Sequence, residues 1–132
     1  MPCFSHVAIL VRDLDKSIDF YTSLFGMRVK WRNEEKAYLG LSEHDSLALL
    51  KGDQGGGHFD LTKITLNNEP TPNFYHFGPV ATSEDEFNQL MTKVKGAGIK
   101  IAGPKISRDG TKSFYFNDSE GYTIQVLLPK SE

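Results

Sequence analysis

"SHVAILVRDLDKSIDFYTSLFGMRV", Ser5 to Val29, decides the fold because the chain states its pattern twice. An apolar run opened by His6 gives way to a polar helix start, an amphipathic stretch, a glycine and a second apolar run. "YHFGPVATSEDEFNQLMTKVKGAGIKI", Tyr75 to Ile101, follows the same order, and its His76 stands 70 positions after His6. Self-similarity over half a chain marks two copies of one supersecondary unit.

Each copy carries its own helix signals. Asp13 or Asp15 can cap the first helix, Ile18, Tyr21, Leu24 and Phe25 form its apolar stripe, and Gly26 supplies a left-handed stop. In the second copy Ser83 and Glu86 make a capping-box pair ahead of Phe87, Leu90, Met91 and Val94, and Gly96 or Gly98 ends the helix. Three strand-like runs follow each helix. They are Met27 to Arg32, Ala37 to Leu41 and Ser46 to Lys51, then Ile99 to Ala102 with a possible extension to Ile106, Ser113 to Asn117, and Thr123 to Leu128. "NEE", "SEHD", "SRDG" and "NDSEG" are the turns between them.

The expected class is therefore α+β, built from two βαβββ modules at about 3–51 and 73–129 in a single domain over 1–132. The Gly-, Asn- and Pro-rich stretch 52–72 is the linker, with a short extended piece expected at Leu61 to Leu66. A plain α+β sandwich of antiparallel strands is the competing architecture. Pro79 sits inside the expected fifth strand, where it removes a ladder donor, and this requires an edge or a bend there.

Composition narrows the function. A formal charge of −2 without a basic stripe argues against nucleic acid, and the Lys93 to Lys105 cluster reads as a solvated helix face and loop. No apolar run approaches a membrane span, and "MPCFSHVAIL" reads as a poor signal peptide because His6 breaks it. Cys3 is the only cysteine, which excludes an internal disulfide and suits a reducing cytosol. The expected location is cytoplasmic.

One residue in the last run does not belong to an apolar strand. Gln125 lies among Ile124, Val126, Leu127 and Leu128, and an unpaired buried amide costs about 1–3 kcal/mol. Something must bond to it.

His6, Asp13, Leu14, Phe20, Tyr21 and Gly26 together resemble the opening of vicinal oxygen chelate proteins, the glyoxalase, bleomycin-resistance and extradiol-dioxygenase-like superfamily. "SFYFNDSEGYTIQV", Ser113 to Val126, resembles its closing hairpin. The resemblance implies that eight strands curl into a cup, as one mixed sheet with the helices outside. It makes His6, His76 and Gln125 the metal ligands, with Gln125 where a glutamate is usual. An amide in that place favours Zn²⁺, Ni²⁺ or Mn²⁺ over Fe²⁺ and an anionic small-molecule ligand. Trp31, Tyr115 and Lys105 are the candidate substrate contacts. Trp31 either walls the cup or packs under the helices.

The departures also count. Ser46 to Lys51 offers no glutamate, which disfavours glyoxalase I chemistry and leaves the catalytic base unknown. Tyr115 and Lys105 resemble phosphonate contacts of fosfomycin-modifying members, but Ala8 replaces their threonine and the chain stops before their C-terminal arginine. The enzyme reading is a metal-dependent lyase, transferase or dioxygenase-like protein. The alternative is a bleomycin-resistance-like protein that sequesters an antibiotic or metabolite, with Gln125 bonded to a histidine and no metal. His44 is expected to be solvated and His58 to lie on a surface loop. A homodimer is expected, with modules either kept within one chain or exchanged between two.

Overall fold

The computed structural model describes residues 5–52 and 76–130. The linker, the extended piece expected at Leu61 to Leu66, and His58 lie outside them. The chain divides into two compact units, Met1–Gly57 and His58–Glu132, here called module 1 and module 2.

Module 1 runs β1 (His6–Val11), α1 (Leu14–Phe25), β2 (Arg28–Arg32), β3 (Lys36–Gly40) and β4 (Ser46–Lys51). Asp13, not Asp15, is the cap, and its carboxylate accepts from Lys16 N at 3.0 Å. Gly26, at φ 71°, takes the left-handed conformation that closes the helix. Asp15 instead pairs with Arg32 at 2.9 Å. The sheet order is β1-β4-β3-β2, with β1 parallel to β4 and the other pairs antiparallel. Ile9, Val11, Ala37, Leu39, Leu47 and Leu49 are buried, as are Leu14, Ile18, Tyr21 and Leu24 of α1. Alternation along the strands places the first six on one face of the sheet, the face α1 covers. Their neighbours His6, Ala8, Tyr38 and Ala48 occupy the opposite face, which α1 leaves open, although Ala48 on it is buried.

Module 2 repeats the design. It runs α2 (Glu84–Gly96), β5 (Ala102–Ile106), β6 (Lys112–Asn117) and β7 (Thr123–Leu128). Ser83 caps α2 by accepting from Glu86 N at 3.1 Å, while the Glu86 carboxylate reaches back one residue beyond the cap to Thr82 N. The helix ends in a Schellman arrangement, Gly98 N to Lys95 O and Ile99 N to Val94 O. That tie holds Ile99 to the helix, so the next strand starts at Ala102 rather than Ile99. Phe87 of α2 meets Phe114 edge-on at 5.2 Å, above fully buried Phe116, Ile124 and Val126.

The eight-stranded sheet must be corrected. The described residues form seven strands in two sheets, β1-β4-β3-β2 and β5-β6-β7. The run from His76 to Ala81 lies parallel to β7 but makes only two isolated bridges, Phe77 to Ile124 and Val80 to Leu127. The cause is local. Pro79 accepts from Leu127 N through its carbonyl but has no N–H to offer the Gln125 carbonyl. At Gly78 the backbones crowd so closely that a Cβ would collide with that same carbonyl oxygen.

No helix among the described residues is long and apolar enough to cross a membrane.

Candidate functional site

In module 2 the face of the sheet away from α2, here also called its open face, carries polar chemistry, although Ser113, Tyr115 and Thr123 on it are buried. Strand alternation puts Ser113, Tyr115, Asn117, Thr123, Gln125 and Leu127 there, back to back with the Phe114–Phe116 core. Tyr115 and Gln125 face each other across the ladder, and Gln125 Nε2 donates to Tyr115 Oη at 2.7 Å. The His76 ring stands edge-on to Tyr115 with centroids 5.5 Å apart. Burial lowers the His76 pKa from its ordinary value; a hydrogen bond with the Gln125 side chain opposes this, and the nearby Lys105 charge adds to it. The net direction keeps the imidazole neutral near pH 7. Gln125 thus faces Tyr115, to which its amide nitrogen is committed, and lies in the same cluster as His76.

Lys105 reaches the same face through an irregularity. Ala102 pairs with Tyr115 and Lys105 with Ser113, so β5 holds one residue more than β6 between those pairs. The extra residue turns Lys105 to the open side, where its Nζ lies 5.3 Å from the Tyr115 ring centroid. Beside it, the Ser113 hydroxyl is fully buried and meets no hydrogen-bond partner among the described residues.

Module 1 uses the same device for Trp31. Val29 pairs with Leu39 and Trp31 with Tyr38, so Lys30 is the extra residue of a β-bulge. Strict alternation from Val29 would send Trp31 toward α1; the bulge brings it to the open face, stacked on Tyr38 at 5.5 Å. His6 is exposed at the start of β1, opposite Ser46. His44 is exposed in the β3–β4 turn, as expected.

The ladders also show which positions correspond. Val7 pairs with Leu47 as Phe77 pairs with Ile124, which makes His6 equivalent to His76 and Ala48 equivalent to Gln125. Tyr38, opposite Ala48, then corresponds to Tyr115, opposite Gln125. Sequence reasoning missed both Tyr38 and Ala48. The two "Y" positions were visible, but only the register makes them equivalent.

Of the sequence-derived site residues, His76, Gln125, Tyr115 and Lys105 come together in module 2. His6 and Trp31 lie on the open face of module 1. Among the described residues no three His, Cys, Asp or Glu side chains gather into a metal-binding group.

Comparison with known proteins now bears on the site. The family model described as Glyoxalase/Bleomycin resistance protein/Dioxygenase superfamily matches residues 4–126. The chain belongs to this superfamily. A superfamily relative in Vibrio parahaemolyticus, named probable lactoylglutathione lyase, is 31% identical over 130 residues, covering 95% of this chain and 89% of the relative. The metallothiol transferase FosB of Lysinibacillus sphaericus is 26% identical over 122 residues, covering 92% of this chain and 78% of its own length. The crystal structure of the lactoylglutathione lyase from Agrobacterium tumefaciens shares the fold, with a TM-score of 0.73 at 18% identity, over 96% of this chain and 92% of that one.

Proposed function

We propose that this glyoxalase-superfamily protein binds a small anionic molecule through a divalent ion held by His6, His76 and Gln125. The observation that carries the reading is the cluster His76, Gln125, Tyr115 and Lys105, with the orphaned Ser113 hydroxyl beside it. A cation and a buried donor on one open face suit an anion. For the ion, the donors fit chemically: burial keeps His76 in the neutral form that ligates metals, and the Gln125 amide offers a neutral oxygen. Zn²⁺, Ni²⁺ or Mn²⁺ suit that set better than Fe²⁺. When bound, the ion would polarise paired oxygens of the ligand.

Tyr115 orients Gln125, and Lys105 neutralises the ligand's charge. Isomerisation of a hemithioacetal is not expected, because Ala48 stands in β4 where module 2 has Gln125 and carries no proton-transferring group. Lyase, transferase and dioxygenase-like chemistry remain the reaction classes. Cytosolic location follows from the single cysteine, and a homodimer from the edge strands β2 and β5, which need covering.

Calorimetric titration of divalent metal tests the reading. Gln125→Glu restores an anionic ligand and should tighten binding at least tenfold, about 1.4 kcal/mol, and His6→Ala should abolish binding in either background. No saturable binding in either protein retires the metal. The second reading, a sequestering protein without chemistry, then stands; the Gln125–Tyr115 hydrogen bond beside the His76 ring favours it. Sedimentation showing only a monomer at micromolar concentration would count against the dimer.

A further inference from the structure

Trp31 is 46% exposed, although a large apolar side chain on a sheet beneath a helix is expected to turn toward that helix. The β2 bulge turns it away. β2 is an edge strand, paired on one side only, so few backbone bonds fix its register. A regular hairpin is the alternative. Continued from Val29 opposite Leu39, it would set Lys30 opposite Tyr38 and Trp31 opposite Ala37, on the side α1 covers. Arg32 would then move to the other side, and Asn33, Glu34 and Glu35 would form a three-residue loop.

Charge supplies the hold. Among the described residues module 1 has two ion pairs, and they flank Trp31. Before it, the Lys30 stem crosses Gly40 on the face away from α1, where an added Cβ would lie 2.6 Å from Lys30 Cε. Lys30 Nζ donates to the Asp45 carbonyl oxygen and stands 3.9 Å from the Asp45 carboxylate. That carboxylate is itself fixed, since it accepts from Leu41 N at 3.0 Å and from Ser42 N at 2.8 Å. After Trp31, Arg32 lies opposite Ala37 on the α1 side and pairs with Asp15 of α1 at 2.9 Å. Arg32 thus occupies the place that Trp31 takes in the regular hairpin. Regular pairing from Val29 would draw Lys30 one pair away from Gly40 and break the Arg32 pair, so both contacts together demand the extra residue of the bulge.

We propose that these two ion pairs form a charge-held register switch. They keep β2 bulged and Trp31 on the face away from α1; when they are neutralised, β2 relaxes to the regular hairpin with Trp31 against α1. The opposite slip, carried back from Trp31, would set Lys30 opposite Leu39 on the α1 side and turn Val29 outward. It moves a charge toward apolar surface, so the release goes one way. Both pairs are open enough to solvent for salt to screen them. The device stands independently of the metal reading, because none of these groups is a metal ligand.

Trp31 is the only tryptophan, so acrylamide quenching of its emission reports which face it occupies. Lys30→Met and Arg32→Glu should each lower the quenching constant about twofold as the population shifts. Emission should move to shorter wavelength, with far-UV circular dichroism confirming that each variant is folded. Adding Asp15→Arg to Arg32→Glu rebuilds the pair with its charges exchanged and should return quenching to the wild-type value. Arg28→Met, at a cation of the same strand that makes no ion pair among the described residues, should change nothing. Sodium chloride at about 1 M, which screens charges beyond about 3 Å, should move the wild type as Lys30→Met does. Unchanged quenching in either Lys30→Met or Arg32→Glu overturns the proposal, as does failure of the exchanged pair to restore it. Quenching that rises in these variants also overturns it, because the strand then frays and does not change face.

Discussion

The two modules share a topology and differ in what their open faces offer. Tyr38 in module 1 stacks on Trp31 and looks across at Ala48; Tyr115 in module 2 receives a hydrogen bond from Gln125 and carries Lys105 over its ring. The helix-facing sides are alike in kind, since both bury apolar strand residues under a helix. Duplication therefore conserved what folds the unit and diversified what faces away from the helix. The difference arises at few positions, chiefly Ala48 against Gln125, and at the place of the extra strand residue, before Trp31 in β2 and before Lys105 in β5.

Four measurements can break or sharpen this comparison. The largest effect is expected from Phe87→Ala, which removes a fully buried ring packed on Phe114 and should cost about 3–5 kcal/mol in urea denaturation. A loss under about 1 kcal/mol would mean that α2 does not anchor its sheet. Next is Gly78→Ala, which drives a methyl into the Gln125 carbonyl and should cost about 3 kcal/mol. The equivalent Ala8 already bears that methyl, so Ala8→Gly should cost only about 0.5–1 kcal/mol, a β-strand glycine penalty.

The third measurement compares the tyrosines. Tyr115→Phe strands the Gln125 amide and should cost about 1–2 kcal/mol, whereas Tyr38→Phe should stay within about 0.5 kcal/mol. Equal costs would erase the distinction between the faces. The smallest effect is a pH dependence. The folded-state pKa of His76 is lowered by burial, so its contribution to stability is present above the unfolded pKa of about 6.5 and is lost as pH falls from there through the folded value. The urea midpoint should therefore drop more between pH 7.5 and 5.5 in the wild type than in His76→Gln, and an identical drop would place His76 in solvent.

Much of the fold could be read from the chain because local signals and tertiary demands agreed. Asp13, Ser83 and Gly26 cap helices where their chemistry says they should, and the repeated grammar anticipated a helix followed by three strands in both modules. Pro79 gave warning of the weak strand that became two bridges. What could not be read was the face on which Trp31 lies. A one-residue bulge inverts alternation, and nothing in "MRVKWRN" distinguishes a bulged strand from a regular one. The same is true of Lys105. Gln125 was legible as an anomaly among apolar neighbours, but its partner Tyr115 became clear only once register placed the two opposite each other.

The broken ladder at Pro79 gives β7 two edges of unequal strength. The amides of Gln125 and Leu127 point to Phe77 and Pro79, while those of Ile124 and Val126 point the other way, into the regular ladder with β6. Solvent deuterium should therefore enter one strand at two rates, fast at Gln125 and Leu127 and slow at Ile124 and Val126. The strand would carry a period-two record of how often His76 leaves its place, and a ligand that holds His76 should slow only the alternate residues.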